Sequence, residues 1–532
     1  MAGNDSNTPS PKAGDWKKRE SFASALMQIG VVAVVLALVV FVVYKRGSTR
    51  KELGELMKEA RATAQKGNYG DQKKALKVVE EALAKDSSAG DPNAFAAAVE
   101  TDLFLLHHEP GADAKAKEYL EKARKADSQT EERYGVDAQL MLAAGNAKGA
   151  EDFVEELRKK GGSGARIYLA QAQALKAQGN LALARTGFSA ASDKAWRDGN
   201  YGCAAGEATL EEAAPGALDL FTRITGQSPE LVRARLGLAL ARVQKKDRLG
   251  DAESIVKDVL AKGDELSKVQ KARALAVTAG IAVVGEQFDA AISTADQALA
   301  LNPDDAWALF YKAEALAAKK DPAAAAAFDA TIAKAPSAPV FYFEGAQRLQ
   351  RAGQVDAATA LLNKYEAFFK NVKNVTADGK QVAYLDRDDR YWLARGDAAR
   401  EANKLDDALA AYDKAIEAKN LNLNKAYLAK GTVLISKKEY DKAGQLLQDI
   451  TPPDGSGQLA EAYMAMGEVL FAKKEYAPGC QNYAFALARM KATQQPREKL
   501  NELLGDVEKK LKAVNQKDIA KAWITEAKPL IQ

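Results

Sequence analysis

The chain has 532 residues, with 76 Lys and Arg against 72 Asp and Glu, a formal net charge of +4. A balance that close gives no strong field for nucleic acid, and 47% hydrophobic with 28% charged residues excludes general disorder. Length alone would imply several domains of ~150 residues each, unless the chain is built of repeats, which grow without adding separate cores.

The chain opens with a polar tail over residues 1–22, read as disordered from Asp5 to Pro11 and its Pro and Ser content. An apolar run follows, Ile29–Tyr44 (IGVVAVVLALVVFVVY), with 12 Ile, Val, Leu or Phe residues and no charge. Extended back to Ala25 it reaches 20 residues, which at ~1.5 Å per residue span the ~30 Å hydrocarbon thickness. The run is therefore expected to be a transmembrane anchor (residues 23–45), meeting the membrane through residues 25–44. A cleaved signal peptide would have an apolar core of ~7–15 residues followed by small residues. Here Ala23-Ser24-Ala25 precedes the core, and Lys45-Arg46 follows it directly. Lys12, Lys17, Lys18 and Arg19 flank one side of the run, and Lys45, Arg46, Arg50, Lys51, Lys58 and Arg61 the other. Positive charge alone would put the second flank in the cytoplasm. Long domains, however, translocate largely regardless of charge. The expected arrangement is an N-in anchor with the large domain outside the cytoplasm.

From residue 51 onward a unit of ~34 residues recurs. Gly396, Gly431 and Gly467 stand 35 and 36 apart, each preceded by four residues by Trp392, Tyr427 or Tyr463. Twelve residues after each glycine comes a small residue, Ala408, Ala443 or Gly479, and four further on a large one, Tyr412, Leu447 or Tyr483. Phe288, Ala291, Ala295, Ala298 and Pro303 keep the same spacing, as do Ala313, Ala324, Phe328 and Pro336 with one deletion. Weaker traces run upstream, among them Ala184, Phe188 and Ala191, and Ala217, Phe221, Ile224 and Pro229. This divides the chain into degenerate repeats over 51–270, clear repeats over 271–370, an interruption at 371–387, further repeats over 388–491, and closing helices over 497–532. About twelve helical hairpins are expected between residues 51 and 491. In the interruption, Asp378-Gly379 between two β-prone pieces signals a short hairpin, and Asn374-Val375-Thr376 fits a glycosylation sequon.

The pattern resembles the tetratricopeptide repeat family, whose unit pairs a small residue on helix A with a large one on helix B. The resemblance implies an all-α fold, an α-solenoid of helical hairpins forming a right-handed superhelix with a concave groove lined by helix A. In the family, helix A positions 2, 5, 9 and 12 face the groove. Carried onto this chain, those positions are Trp307, Phe310 and Glu314; Tyr342 and Leu349; Arg390, Leu393, Asp397 and Arg400; Leu428 and Ile435; and Met464, Glu468 and Phe471. The apolar row among them suits an amphipathic helix or extended peptide of a protein partner. Repeat domains of the family that hold acidic chaperone tails use a lysine and asparagines where this chain has Glu314, Ala346 and Asp397, which argues against that clamp and against an import-receptor role.

Little suggests chemistry. His107 and His108 are adjacent, and neighbours on a helix do not face one way, so a helix end is a better reading than a metal site. Gly161-Gly162-Ser163-Gly164 lacks the Lys-Ser/Thr of a phosphate loop and falls where an inter-repeat turn is due. Acidic pairs such as Asp388-Asp389 belong at helix starts. Cys203 and Cys480 are too few for a disulfide framework or a four-ligand zinc site. The expectation is no enzyme, no cofactor and no small-molecule substrate. It is instead a membrane-anchored scaffold for protein partners of a bacterial envelope machine serving motility, pili, secretion or translocation. A periplasmic holdase and an anchored adaptor for polysaccharide or cell-wall synthesis are the alternatives.

Overall fold

Alanine-rich segments with a small residue on one helix opposite a large one on the next can bury their surface only by stacking neighbour on neighbour. The computed structural model describes residues 22–375 and 380–531. Helices α1 (Phe22–Ala64) and α2 (Tyr69–Lys85) form the first hairpin, α3 (Gly90–His107) and α4 (Ala112–Lys125) the second, α5 (Glu131–Ala143) and α6 (Ala147–Lys159) the third. The fourth and fifth are α7 (Ala165–Ala177) with α8 (Leu181–Lys194), and α9 (Gly199–Glu211) with α10 (Ala217–Gln227). Next come α11 (Val232–Lys245) with α12 (Leu249–Leu260), α13 (Lys268–Val284) with α14 (Phe288–Leu301), and α15 (Ala306–Ala318) with α16 (Ala324–Lys334). The ninth and tenth are α17 (Pro339–Arg351) with α18 (Val355–Phe369), and α19 (Asp389–Glu401) with α20 (Leu405–Glu417). Then follow α21 (Leu423–Ser436) with α22 (Tyr440–Leu447), α23 (Ala460–Ala472) with α24 (Tyr476–Ala492), and the closing pair α25 (Arg497–Ala513) and α26 (Lys517–Ile531). The Gly-rich stretch 161–164 is the turn between α6 and α7. The expected polar tail, apart from Phe22, lies outside the described residues.

The spacing seen in the sequence has a direct packing cause. A methyl group added to Gly431 would lie 2.8 Å from the Leu447 side chain, and one on Gly467 2.7 Å from the Tyr483 ring. At Gly396 it would run into the Tyr412 ring. Each glycine lets the B helix close on the A helix, and the large B-helix residue fills the gap, fully buried.

Between α18 and α19, β1 (Lys373–Val375) pairs antiparallel with β2 (Gln381–Ala383), Asn374 opposite Val382. Asp378 and Gly379, expected from the sequence to form the turn, and Thr376 of the sequon lie outside the described residues.

Two features could not be read from the repeat pattern. First, α1 runs unbroken from the apolar segment into the first hairpin, with no loop between span and repeat. The large apolar side chains described between Met27 and Tyr44 are at least 52% exposed, so this part of the helix stands outside the solenoid. It is long and apolar enough to cross a membrane. Second, the superhelix is tight. The α1–α2 turn meets the starts of α9 and α11, where Asn200 Nδ2 donates to the Gly67 carbonyl (3.2 Å) and the Val232 amide donates to Asn68 Oδ1 (2.9 Å). The α3 C-terminus meets the α13 N-terminus, His107 Nδ1 lying 3.1 Å from Ser267 Oγ. The α7–α8 turn sits against Phe368, Phe369 and Val372 at the end of α18. The Arg390 guanidinium at the start of α19 donates to the Glu212 carbonyl after α9. In each case the far end of one hairpin touches the near end of a hairpin about five further on, so about five hairpins make one turn.

Candidate partner-binding surface

Helix A of each hairpin supplies the inner wall, and the tight turn decides which wall positions stay accessible. Trp307 and Phe310 are 2% and 1% exposed. Trp307 packs edge-on against Phe341 at 4.8 Å between centroids, and Phe310 lies 5.2 Å from the same ring and 6.0 Å from Phe328. Glu314 is buried and accepts from Arg348 Nε at 2.6 Å. Tyr342 donates its hydroxyl to the Pro336 carbonyl (2.9 Å) and packs against Tyr365, and Leu349 is buried. These five positions are core, which corrects the groove assignment for them. The large rings of one A helix seat against those of the next, and the preceding turn of the coil covers α17 through α9.

Arg390 is a bolt between turns. Its Nε donates to Asp388 Oδ1 at 3.0 Å, its far nitrogen to the Glu212 carbonyl, and its guanidinium lies 5.3 Å from the Phe343 ring centroid. Burial opposes its charge, but Asp388 beside it holds the guanidinium above its ordinary range. Asp397 also has a structural partner, for it accepts the Tyr412 hydroxyl at 2.7 Å and so ties the two helices of its hairpin together. Burial pushes the Asp397 carboxyl above the usual carboxylate range. Arg400 is exposed, 3.1 Å from Glu401.

The remaining positions form an accessible strip. Leu393, Leu428, Ile435, Met464 and Phe471 are half-buried, and Glu468 is exposed beside Lys510. Phe471 leans edge-on onto Tyr476 and Tyr483, which makes it the most core-like of the set. Leu393 lines a cleft of about 630 Å³ together with Phe343, Ala346 and Leu421. Leu421, at the turn before α21, is 79% exposed and was not among the positions drawn from the repeat register. Its signal in the sequence is a leucine between two asparagines in an inter-repeat turn, where a polar residue is ordinary.

No group of three or more His, Cys, Asp and Glu side chains is placed to hold a metal among the described residues. His107 ends α3, packed 5.1 Å from the Tyr69 ring, and His108 caps that helix in the left-handed conformation at φ 50°. Cys203 is buried and Cys480 half-buried, both as free thiols. The strip offers apolar contact flanked by charge.

The sequence profile of the tetratricopeptide repeat matches residues 281–339, 382–422 and 393–457. Those stretches carry tetratricopeptide repeats within the α-solenoid, and repeats of this kind serve protein–protein interaction. Similar solved structures include a human IFIT1 dimer with PPP-AAAA, at 15% identity over 75% of this chain and 90% of that one, TM-score 0.42. Yeast Tom70 is similar at 14% identity over 90% and 99%, TM-score 0.39. A tetratricopeptide repeat protein from Parabacteroides merdae is similar at 13% over 52% and 98%, TM-score 0.37. No curated protein matches the sequence.

Proposed function

We propose that this chain is a single-pass, membrane-anchored scaffold that binds protein partners of a bacterial envelope machine and catalyses nothing itself. The observation that carries the reading is α1, in which one unbroken helix joins an apolar, outward-facing segment of membrane-spanning length to the first repeat. Such a helix sets the whole solenoid at a fixed attitude to a bilayer, which suits a scaffold better than a freely tethered module. The large domain lies on the periplasmic side of the inner membrane in this reading. The partner element is an amphipathic helix or extended peptide, held along Leu393, Leu428, Ile435 and Met464, with Asp397, Arg400 and Glu468 at its edges.

The test replaces Leu393, Leu428 and Met464 together by Asp and captures partners from detergent-solubilised membranes. All three are half-buried, so the far-ultraviolet helical signal should persist while one stoichiometric partner is lost. Undiminished capture would remove the strip from the proposal. Protease protection in spheroplasts reads the orientation: cleavage of the large domain only after outer-membrane disruption supports a periplasmic location.

A further inference from the structure

A different set of residues, far from this strip, forms a polar chamber inside the first turn of the coil. A cavity of about 180 Å³ lies among α1, α2, α3, α5, α7, α9 and α11, equal to roughly six waters at ~30 Å³ each. Gln72, Gln139 and Arg166 line it and are 4%, 2% and 6% exposed. Each still has a polar atom without a hydrogen-bond partner: Gln72 Oε1, Gln139 Oε1 and Arg166 Nε. Glu131 Oε2 and Asn200 Oδ1 on the same lining are also unpartnered. Of these five atoms four are acceptors, so the chamber as a whole asks for donors.

The charges point the same way. Three guanidinium groups line the cavity, and each is already committed. Arg166 is clasped by Asp102 at 2.7 and 3.1 Å, Arg61 by Glu132, and Arg233 by Glu207 at 2.6 and 2.8 Å. Glu131 and Asp198 are left with no ion pair among the described residues. Asp198 Oδ1 takes only the Asn200 amide at 3.0 Å. It is faced by Asp102 from α3, Arg166 from α7, Tyr201 and Cys203 from α9 and Arg233 from α11. Burial, reinforced by Asp102, pushes its carboxyl up to about 7. Burial and then Glu132 raise Glu131 as well. Against Glu131 stand only the Ala165 and Arg166 amides and the guanidinium of Arg166, and against Asp198 the Asn200 amide, Arg166 and Arg233, all of these guanidiniums already paired. Water would satisfy the acceptors but add no positive charge for the two carboxylates, and an anion would worsen both deficits.

We propose that this chamber binds a small organic cation with N–H donors, a primary ammonium or a guanidinium, with Glu131 and Asp198 supplying the opposing charge and Gln72, Gln139 and Asn200 the acceptors.

Calorimetric titration of the full chain in detergent micelles tests this, with methylguanidinium and n-butylammonium as probes and tetramethylammonium, which lacks N–H, as control. The expected result is saturable one-to-one binding of at least one of the two N–H cations and none of the control. At pH 6.5, repeats in buffers of different ionisation enthalpy should reveal proton release, because a bound cation favours ionised Asp198. Asp198→Asn should weaken binding about tenfold or more and remove the proton release. Gln139→Leu should weaken binding but keep it. Absence of saturable heat, equal binding of tetramethylammonium, or Asp198→Asn binding like the parent chain would each overturn the proposal.

Discussion

The two ends of the solenoid use the same hairpin for opposite purposes. From α1 to α20 successive turns touch, through pairs such as His107 with Ser267 and Arg390 with Glu212, 160 and 178 residues apart in the chain. From α21 to α26 the ion pairs reach only the adjacent hairpin, as Lys437 to Asp406, Lys473 to Asp441 and Lys510 to Glu468 do. The closed coil spends most of its inner wall on itself, Leu393 at its end in α19 excepted, whereas the open arm leaves apolar wall positions half-exposed. Where the hairpins stack is therefore dictated locally, but whether their inner face is a core or a surface depends on the distance to the next turn.

The largest expected effect probes this difference directly. Phe221 is fully buried in the coil, against Gly206 and Gly237, and Leu447 is fully buried in the arm, against Gly431. Phe221→Ala should cost about 3–5 kcal/mol and Leu447→Ala about 2–5 kcal/mol. Hydrogen exchange should show loosening throughout the coil for the first and within α21–α26 for the second, because one-dimensional stacks lose stability locally while cross-tied ones share the loss. Purely local loosening in both would break the comparison.

The next effect is a pH dependence confined to the coil. Burial holds His107 down to about 4 from 6.5. A depressed folded pKa gives stability present above 6.5 and lost as pH falls towards 4, about 3 kcal/mol in all. Asp198, raised to about 7, acts in the opposite sense: its contribution is full below the ordinary carboxylate range and is lost as pH rises through 7. Between pH 4 and 6.5 the two offset each other in the parent chain. Denaturant melts of His107→Gln should then show stability falling as pH rises across that window. A variant profile with the same slope as the parent's would remove His107 from the account.

A smaller effect sharpens the assignment of Asp397. Tyr412→Phe removes the hydroxyl that Asp397 accepts at 2.7 Å and should cost about 1–2 kcal/mol. If Asp397 served only a partner, denaturant stability would not change.

The 12-residue step from Gly396 to Ala408 and the four-residue step to Tyr412 were legible because they express contacts within one hairpin, which short-range spacing encodes. The hairpin signal at Asp378-Gly379 coincides with the pairing of β1 and β2 for the same reason. Trp307, Phe310 and Tyr342 were misplaced because their burial depends on the next A helix and on the turn above it, and no local spacing reports that distance. The chamber residues were missed too, although a trace existed: Arg166 and Arg233 recur as the second residue of α7 and α11, each with a carboxylate partner. Without the coil in hand, those arginines read as ordinary solvated charge.

The sequence by itself determined the repeating hairpin, the apolar segment of membrane-spanning length and the small-against-large contacts within each unit, since all three are set by residues close along the chain. Only the tertiary structure decided that about five hairpins close a turn, that α1 passes unbroken from the apolar segment into the solenoid, and that one wall is sealed while another stays open. Those outcomes arise from small packing rotations that accumulate over many repeats, so residues more than 150 positions apart meet although neither carries a local mark of the other.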